Sequence, residues 1–128
     1  MSIQFKTITE IKKLLRENKI SHVELIQETL DLINQLSDLN CFITTNDEYA
    51  LRKAKDLDLS KSNTSISGIP IAHKDLFCTK GTLTTCGSKM LSNFSPPYDA
   101  TVVSNLENAD VINVGKTNMD EFAMGSTT

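Results

Sequence analysis

At Gly68 the texture of the chain changes, and that change constrains the fold more than any other feature. Before it, apolar residues recur every three or four positions, the signature of helices buried along one face. After it come short apolar runs broken by Gly and Pro, as in strands joined by irregular loops. Helices followed by strand, loop and helix indicate an α/β fold. The division predicts an amino-terminal helical region over residues 1–67 and the start of an α/β core over 68–128.

Within the first region, Ile8, Ile11, Leu14 and Leu15 predict a helix with Thr7 as its cap. Ser21-His22-Val23-Glu24 fits a capping box, in which hydroxyl and carboxylate satisfy orphan backbone donors reciprocally. The helix it opens carries Val23, Ile26, Leu30, Ile33 and Leu36 on one face and is expected to reach Ser37. Cys41–Thr45 reads as a short strand of β-favouring residues. A third helix follows, capped by Asn46, with Ala50, Leu51, Ala54 and Leu57 turned inward. Residues 60–65 form a polar surface loop.

Gly68-Ile69-Pro70-Ile71-Ala72 is the first strand of the second region, with Pro70 suited to a strand start or edge because it lacks a donor. Gly81, Gly87, Pro96 and Pro97 punctuate an irregular stretch, with a turn of helix expected near Lys89–Ser92. A helix over about 100–108 presents Val102, Val103 and Leu106. Val111–Val114 is a strand, Gly115–Asn118 a turn, and Met119–Met124 a last helix cut short by Gly125. Nothing after it closes the sheet. Open sheets expose backbone groups and apolar faces, so the chain is expected to be a truncated core.

Composition narrows the function. The net charge is −3, the apolar share 39% and the charged share 23%, ordinary for a globular chain. No basic run offers a footprint for nucleic acid. No apolar stretch approaches the roughly 20 residues of a bilayer span, and the start lacks a signal core. A soluble, cytoplasmic protein without membrane contact is expected. The three cysteines, Cys41, Cys78 and Cys86, form no C-x-x-C pair. With His22 and His73 far apart, no metal spacing can be assembled. Reduced, mostly buried thiols are expected.

Two motifs fail on inspection, and a third is disfavoured. Gly115-Lys116-Thr117 lacks the glycine that a phosphate-binding loop needs five residues ahead of its Gly-Lys pair, since Asp110 stands there. His73-Lys74-Asp75 cannot converge on a phosphate, because consecutive residues of an extended strand point to alternate sides. Cys78 or Cys86 as a nucleophile would need a histidine in reach to form thiolate. Lys74 is of more interest, because the carboxyl end of a strand is where open α/β sheets place ligands. Burial there disfavours the ammonium and turns lysine into a usable base. Local sequence favours the plainer alternative, a solvated lysine paired with Asp75.

Longer blocks bear on that choice. Gly68–Asp75, Thr79-Lys80-Gly81, Thr84–Ser88, Asp99–Val103 and Gly115–Gly125 together resemble the amidase signature family. The last block is similar to the branch that supplies the A subunits of tRNA-dependent amidotransferases. The resemblance implies a mixed-sheet amidase-signature core, incomplete in this chain, and a Ser–cis-Ser–Lys triad. Lys74 falls on the position of its catalytic lysine, a neutral base acting through the bridging serine. Both serines belong to a Gly/Ser-rich segment absent from this sequence, so Ser88, Ser92 and Ser126 are not assigned. Met124, Gly125 and Ser126 fall beside the substrate pocket in the family; an ordinary helix end capped by Gly125 is the alternative.

The implied activity of the whole subunit is hydrolysis of glutamine to glutamate, releasing ammonia. A partner B subunit would use it, with ATP and Mg²⁺, to convert Glu-tRNA(Gln) to Gln-tRNA(Gln). A C subunit would tie the two together. This chain itself would hold no cofactor or metal, would meet tRNA only through the B subunit, and would be inactive alone. A stand-alone amidase and a non-catalytic assembly segment are the other readings. Two departures from the family pattern bear on stability. Asp110 stands where glycine is usual in a left-handed turn. Asn113 stands in a strand expected to be buried, where an unpaired amide costs about 1–3 kcal/mol.

Overall fold

The computed structural model describes residues 3, 5–60 and 64–126. Two of the three expected caps are present. Thr7 Oγ1 accepts from Glu10 N, and Glu10 Oε2 accepts from Thr7 N, opening α1 (Ile8–Arg16). Ser21 and Glu24 repeat the arrangement at 3.0 and 2.8 Å and open α2 (His22–Gln35). A single 3-10 turn, Ser37–Leu39, then leads to β1 (Phe42–Thr45) and α3 (Asp47–Ser60), which starts directly after Asn46. Asp58 near the end of α3 reaches back to the first turn of α2, accepting from the His22 and Val23 amides and pairing with the His22 ring at 2.7 Å. The polar loop expected at 60–65 falls partly on 61–63, outside the described residues; Thr64 Oγ1 donates to Ala109 O at 2.7 Å.

In the second half β2 (Pro70–Lys74) begins at Pro70, α4 (Thr101–Asn108) lies where predicted, and β3 (Ile112–Thr117) completes a mixed sheet of order β1-β3-β2. β3 runs antiparallel to β1 and parallel to β2. Ile26, Leu30, Ala50, Ala54 and Leu57 of α2 and α3 pack on Ile112 and Val114 of β3. A second cluster joins Ile11 and Leu25 to Ile69 at the foot of β2. The loop after β2 is irregular, with its one 3-10 turn at Lys89–Leu91 as expected.

Two expectations fail. Gly115-Lys116-Thr117 is not a turn but the end of β3. The glycine marks a close approach between strands, since a Cβ on it would stand 2.5 Å from Thr44 O. The register shift beside Val114 is a bulge steadied by Asn113, whose Oδ1 accepts from Gly115 N at 3.1 Å. That bond also partners the buried side-chain carbonyl of Asn113. Nor is Met119–Met124 a helix. Only a 3-10 turn, Glu121–Ala123, forms, with Phe122 and Ala123 at positive φ. Phe122 N donates to Cys86 O instead of a helical carbonyl, so tertiary contact overrides propensity, and Gly125 caps no helix. Asp110 does take the left-handed conformation, at φ 61°.

Candidate functional site

Lys74 is the last residue of β2, at the carboxyl end of the sheet. Strand alternation sends His73 and Asp75 into the interior and leaves Ala72 and Lys74 on the open side. The three consecutive polar residues therefore do not converge. The burial that would make Lys74 a base is not found: its side chain is exposed, and among the described residues its ammonium has no hydrogen-bond or ion-pair partner. The Lys74–Asp75 pair of the plainer reading is not found either.

Asp75 is engaged elsewhere. Asp75 and Lys116 are both 0% exposed, and Lys116 Nζ lies 3.5 Å from Asp75 Oδ1. The same ammonium donates to Phe77 O at 2.6 Å and Thr84 Oγ1 at 3.0 Å, with Thr79 Oγ1 at 3.4 Å. Asp75 Oδ2 accepts from the amide and hydroxyl of Thr85, its N–H donates to Thr117 O, and its carbonyl accepts from Cys86 N. Sequence reading missed Lys116 because Gly-Lys-Thr looked like a turn; the strand run Val111–Val114 directly ahead of it was the available signal. An ammonium held inside the fold also reaches no phosphate, in keeping with rejection of the nucleotide motif.

The field of this cluster is legible in its neighbours. Burial pushes the Lys116 ammonium below the ordinary lysine range, with the Asp75 carboxylate opposing. Burial and then the Lys116 charge lower His73. Burial, followed by the negative charge of Asp75, raises the Cys86 thiol. A raised thiol is the reverse of what a cysteine nucleophile needs, so that reading loses its basis at Cys86. The expectation of mostly buried thiols is corrected as well. Cys41 is exposed ahead of edge strand β1, and Cys78 and Cys86 are partly exposed in the loop after β2.

Met124, Gly125 and Ser126 lie on the surface beyond the last turn. Gly125 N donates to Asp120 Oδ2 at 2.6 Å. The turn before them is docked on the loop after β2 through Ser88 Oγ to Glu121 Oε1 at 2.6 Å and through the Phe122–Cys86 bond. This loop hangs in turn on Asp75. The carboxyl end of the sheet is thus one hydrogen-bonded body carrying an exposed lysine.

A cavity of about 630 Å³ lies elsewhere, among the ends of α1, α2 and α3. Several of its polar groups are committed to the fold: Lys12 Nζ donates to Thr64 O and Ser67 O, and His22 pairs with Asp58. Among the described residues no group of His, Cys, Asp and Glu is arranged to hold a metal ion, and no helix is long and apolar enough to cross a membrane. A test of the site geometry is amine labelling of the folded chain with a water-soluble acylating reagent, read by peptide mass mapping. Lys74 is expected to be modified readily and Lys116 only on unfolding. Equal protection of the two would contradict the exposure of Lys74.

The sequence model of the Amidase family matches residues 24–128. The A subunit of glutamyl-tRNA(Gln) amidotransferase from Coxiella burnetii is 58% identical over 126 residues, covering 95% of this chain and 26% of that relative. The chain spans about a quarter of the length of the curated relatives it matches. Among solved structures, an amidase family protein from Bacillus anthracis superposes with a TM-score of 0.90 at 27% identity, covering 98% of this chain and 27% of the other. The glutamyl-tRNA(Gln) amidotransferase A subunit of Thermotoga maritima superposes with a TM-score of 0.73 at 34% identity, covering 94% and 24%.

Proposed function

The chain belongs to the Amidase family, and from that premise we propose that it is the amino-terminal segment of the glutaminase subunit of a tRNA-dependent amidotransferase, with Lys74 as the base. Two likenesses pull apart: the backbone is nearer to the Bacillus anthracis amidase, the sequence nearer to the amidotransferase subunits. Backbone shape is common property of a fold, whereas substrate choice lives in side chains. Identity therefore decides, and the 58% match supports the amidotransferase branch.

The observation that carries the role of Lys74 is its position, at the end of β2 with its ammonium free while its neighbour Asp75 is held by Lys116. In the proposed reaction a serine oxygen bonds to the glutamine amide carbon and its proton passes through a bridging serine to the neutral lysine amine. The C–N bond then breaks, and the proton returns to nitrogen as ammonia leaves. Water hydrolyses the acyl-enzyme to glutamate. The serines, and the cover that desolvates Lys74, come from the part of the relatives that this chain does not span. The 128 residues alone supply a base without a nucleophile and are expected to turn over no glutamine. Met124, Gly125 and Ser126 flank the bound amide in this reading. ATP and Mg²⁺ belong to the B subunit, through which tRNA is also met. The C subunit joins the other two, and the assembly works in the cytoplasm.

The test is ammonia release by the complete glutaminase subunit, by itself and with its partner subunits, from glutamine and from small carboxamides. Glutamine is expected to be preferred, and the partners with ATP and Glu-tRNA(Gln) to accelerate its hydrolysis. Efficient release from small amides, indifferent to partners, would make the protein a stand-alone amidase instead.

A further inference from the structure

We propose that Asp75 and Lys116 form a positioning pair that sets where Lys74 stands, an inference that rests on Lys74 being the base. Asp75 follows Lys74 directly, and it is tied at four points. Its amide donates to Thr117 O on β3, its carbonyl takes Cys86 N, one carboxylate oxygen takes Thr85, and the other faces Lys116. Lys116 in turn gathers Phe77 O, Thr79 Oγ1 and Thr84 Oγ1 around one nitrogen. The carbonyl of Lys74 accepts from Phe77 N at 3.0 Å, so the residue whose carbonyl Lys116 grips is also the one that closes the turn behind Lys74. The backbone on the carboxyl side of the base is thereby pinned to the central strand of the sheet.

As a mere stabiliser the pair is poorly made. Nζ and Oδ1 stand 3.5 Å apart, and Oδ1 is buried with no hydrogen bond. Buried ion pairs of imperfect geometry are readily matched or bettered by apolar side chains. What an apolar pair would not reproduce is the convergence of one donor group on three oxygens of the turn. Catalytic groups need placement to within about 0.5 Å, and a misplacement of about 1 Å can cost on the order of 10²-fold in rate.

The experiment uses the complete glutaminase subunit in its assembly and compares Lys116→Met, the charge-balanced double variant Asp75→Asn with Lys116→Met, and the near-isosteric Thr84→Val. Lys116→Met is expected to lower kcat for glutamine about 10–100-fold, with KM within about twofold. The double variant is expected to recover the thermal midpoint that Lys116→Met loses while kcat stays low. Recovery of both together would show a purely structural pair and overturn the proposal. Thr84→Val, which keeps both members of the buried ion pair, removes one oxygen from the Lys116 ammonium. A fall of a few-fold in kcat at unchanged KM supports the proposal, and unchanged kcat overturns it. Lys74→Ala in the same assay keeps the two readings apart. Turnover surviving there defeats the base assignment itself, whereas its loss beside normal Thr84→Val and double-variant rates defeats only the positioning role.

Discussion

Lys74→Ala in the complete glutaminase subunit is expected to lower glutamine turnover about 10²–10⁴-fold, the usual contribution of a positioned general base. The same change is expected to leave the folding free energy within about 0.5 kcal/mol, as for surface sites without special contacts. The two halves follow from one observation. Lys74 sits at the carboxyl end of β2 with its side chain exposed and, among the described residues, unpartnered. A lysine retained for stability would be packed or paired, and its removal would show in unfolding. A base is felt in kcat and hardly at all in folding. Steady-state glutaminase kinetics and urea unfolding on the same preparation decide the matter. Lys74→Arg should be nearly as inactive, because guanidinium keeps its charge and cannot accept a proton. Turnover within a few-fold of the parent in Lys74→Ala would remove the lysine from the mechanism. Loss of stability matching the loss of rate would reduce it to a structural residue.

The parts of the fold legible in the sequence are those fixed by near neighbours. Thr7 with Glu10, and Ser21 with Glu24, announce their helices because cap and partner lie three residues apart. The buried face of α3 follows from spacing alone. The failures share one cause, a long-range contact that reverses a local preference. Gly115 looks like a turn until β1 is laid against it, where its missing Cβ admits Thr44 O. Phe122 looks helical until Cys86 offers its amide a carbonyl in the loop after β2. In the site, the place of Lys74 at the end of β2 was legible from the apolar run before it, while its role rests on the family resemblance. The engagement of Asp75 by Lys116 was not, because that pair exists only once β2 and β3 lie parallel with His73 opposite Lys116.

Lys116→Met is expected to destabilise the fold by about 3–5 kcal/mol, the cost of breaking a buried ion pair from one side. The methionine fits the volume, so the loss is electrostatic. The Asp75 carboxylate, 0% exposed, keeps Thr85 as a donor but loses the countercharge of Lys116, and Phe77 O and Thr84 Oγ1 lose the donor they share. Urea unfolding at neutral pH measures the size of the effect, and its pH dependence identifies the source. The Lys116 ammonium is held below the ordinary lysine range, burial outweighing the attraction of Asp75. Between that lowered folded-state value and the ordinary value of about 10.4, the unfolded chain binds more protons than the folded one. Stability contributed through this group therefore rises with pH across the window and is lowest below it. The parent should show that rise on the approach to about pH 10, and Lys116→Met should lack it. A destabilisation under about 1 kcal/mol, with the parent's pH slope intact, would mean that water reaches Lys116 and that the pair is no part of the interior.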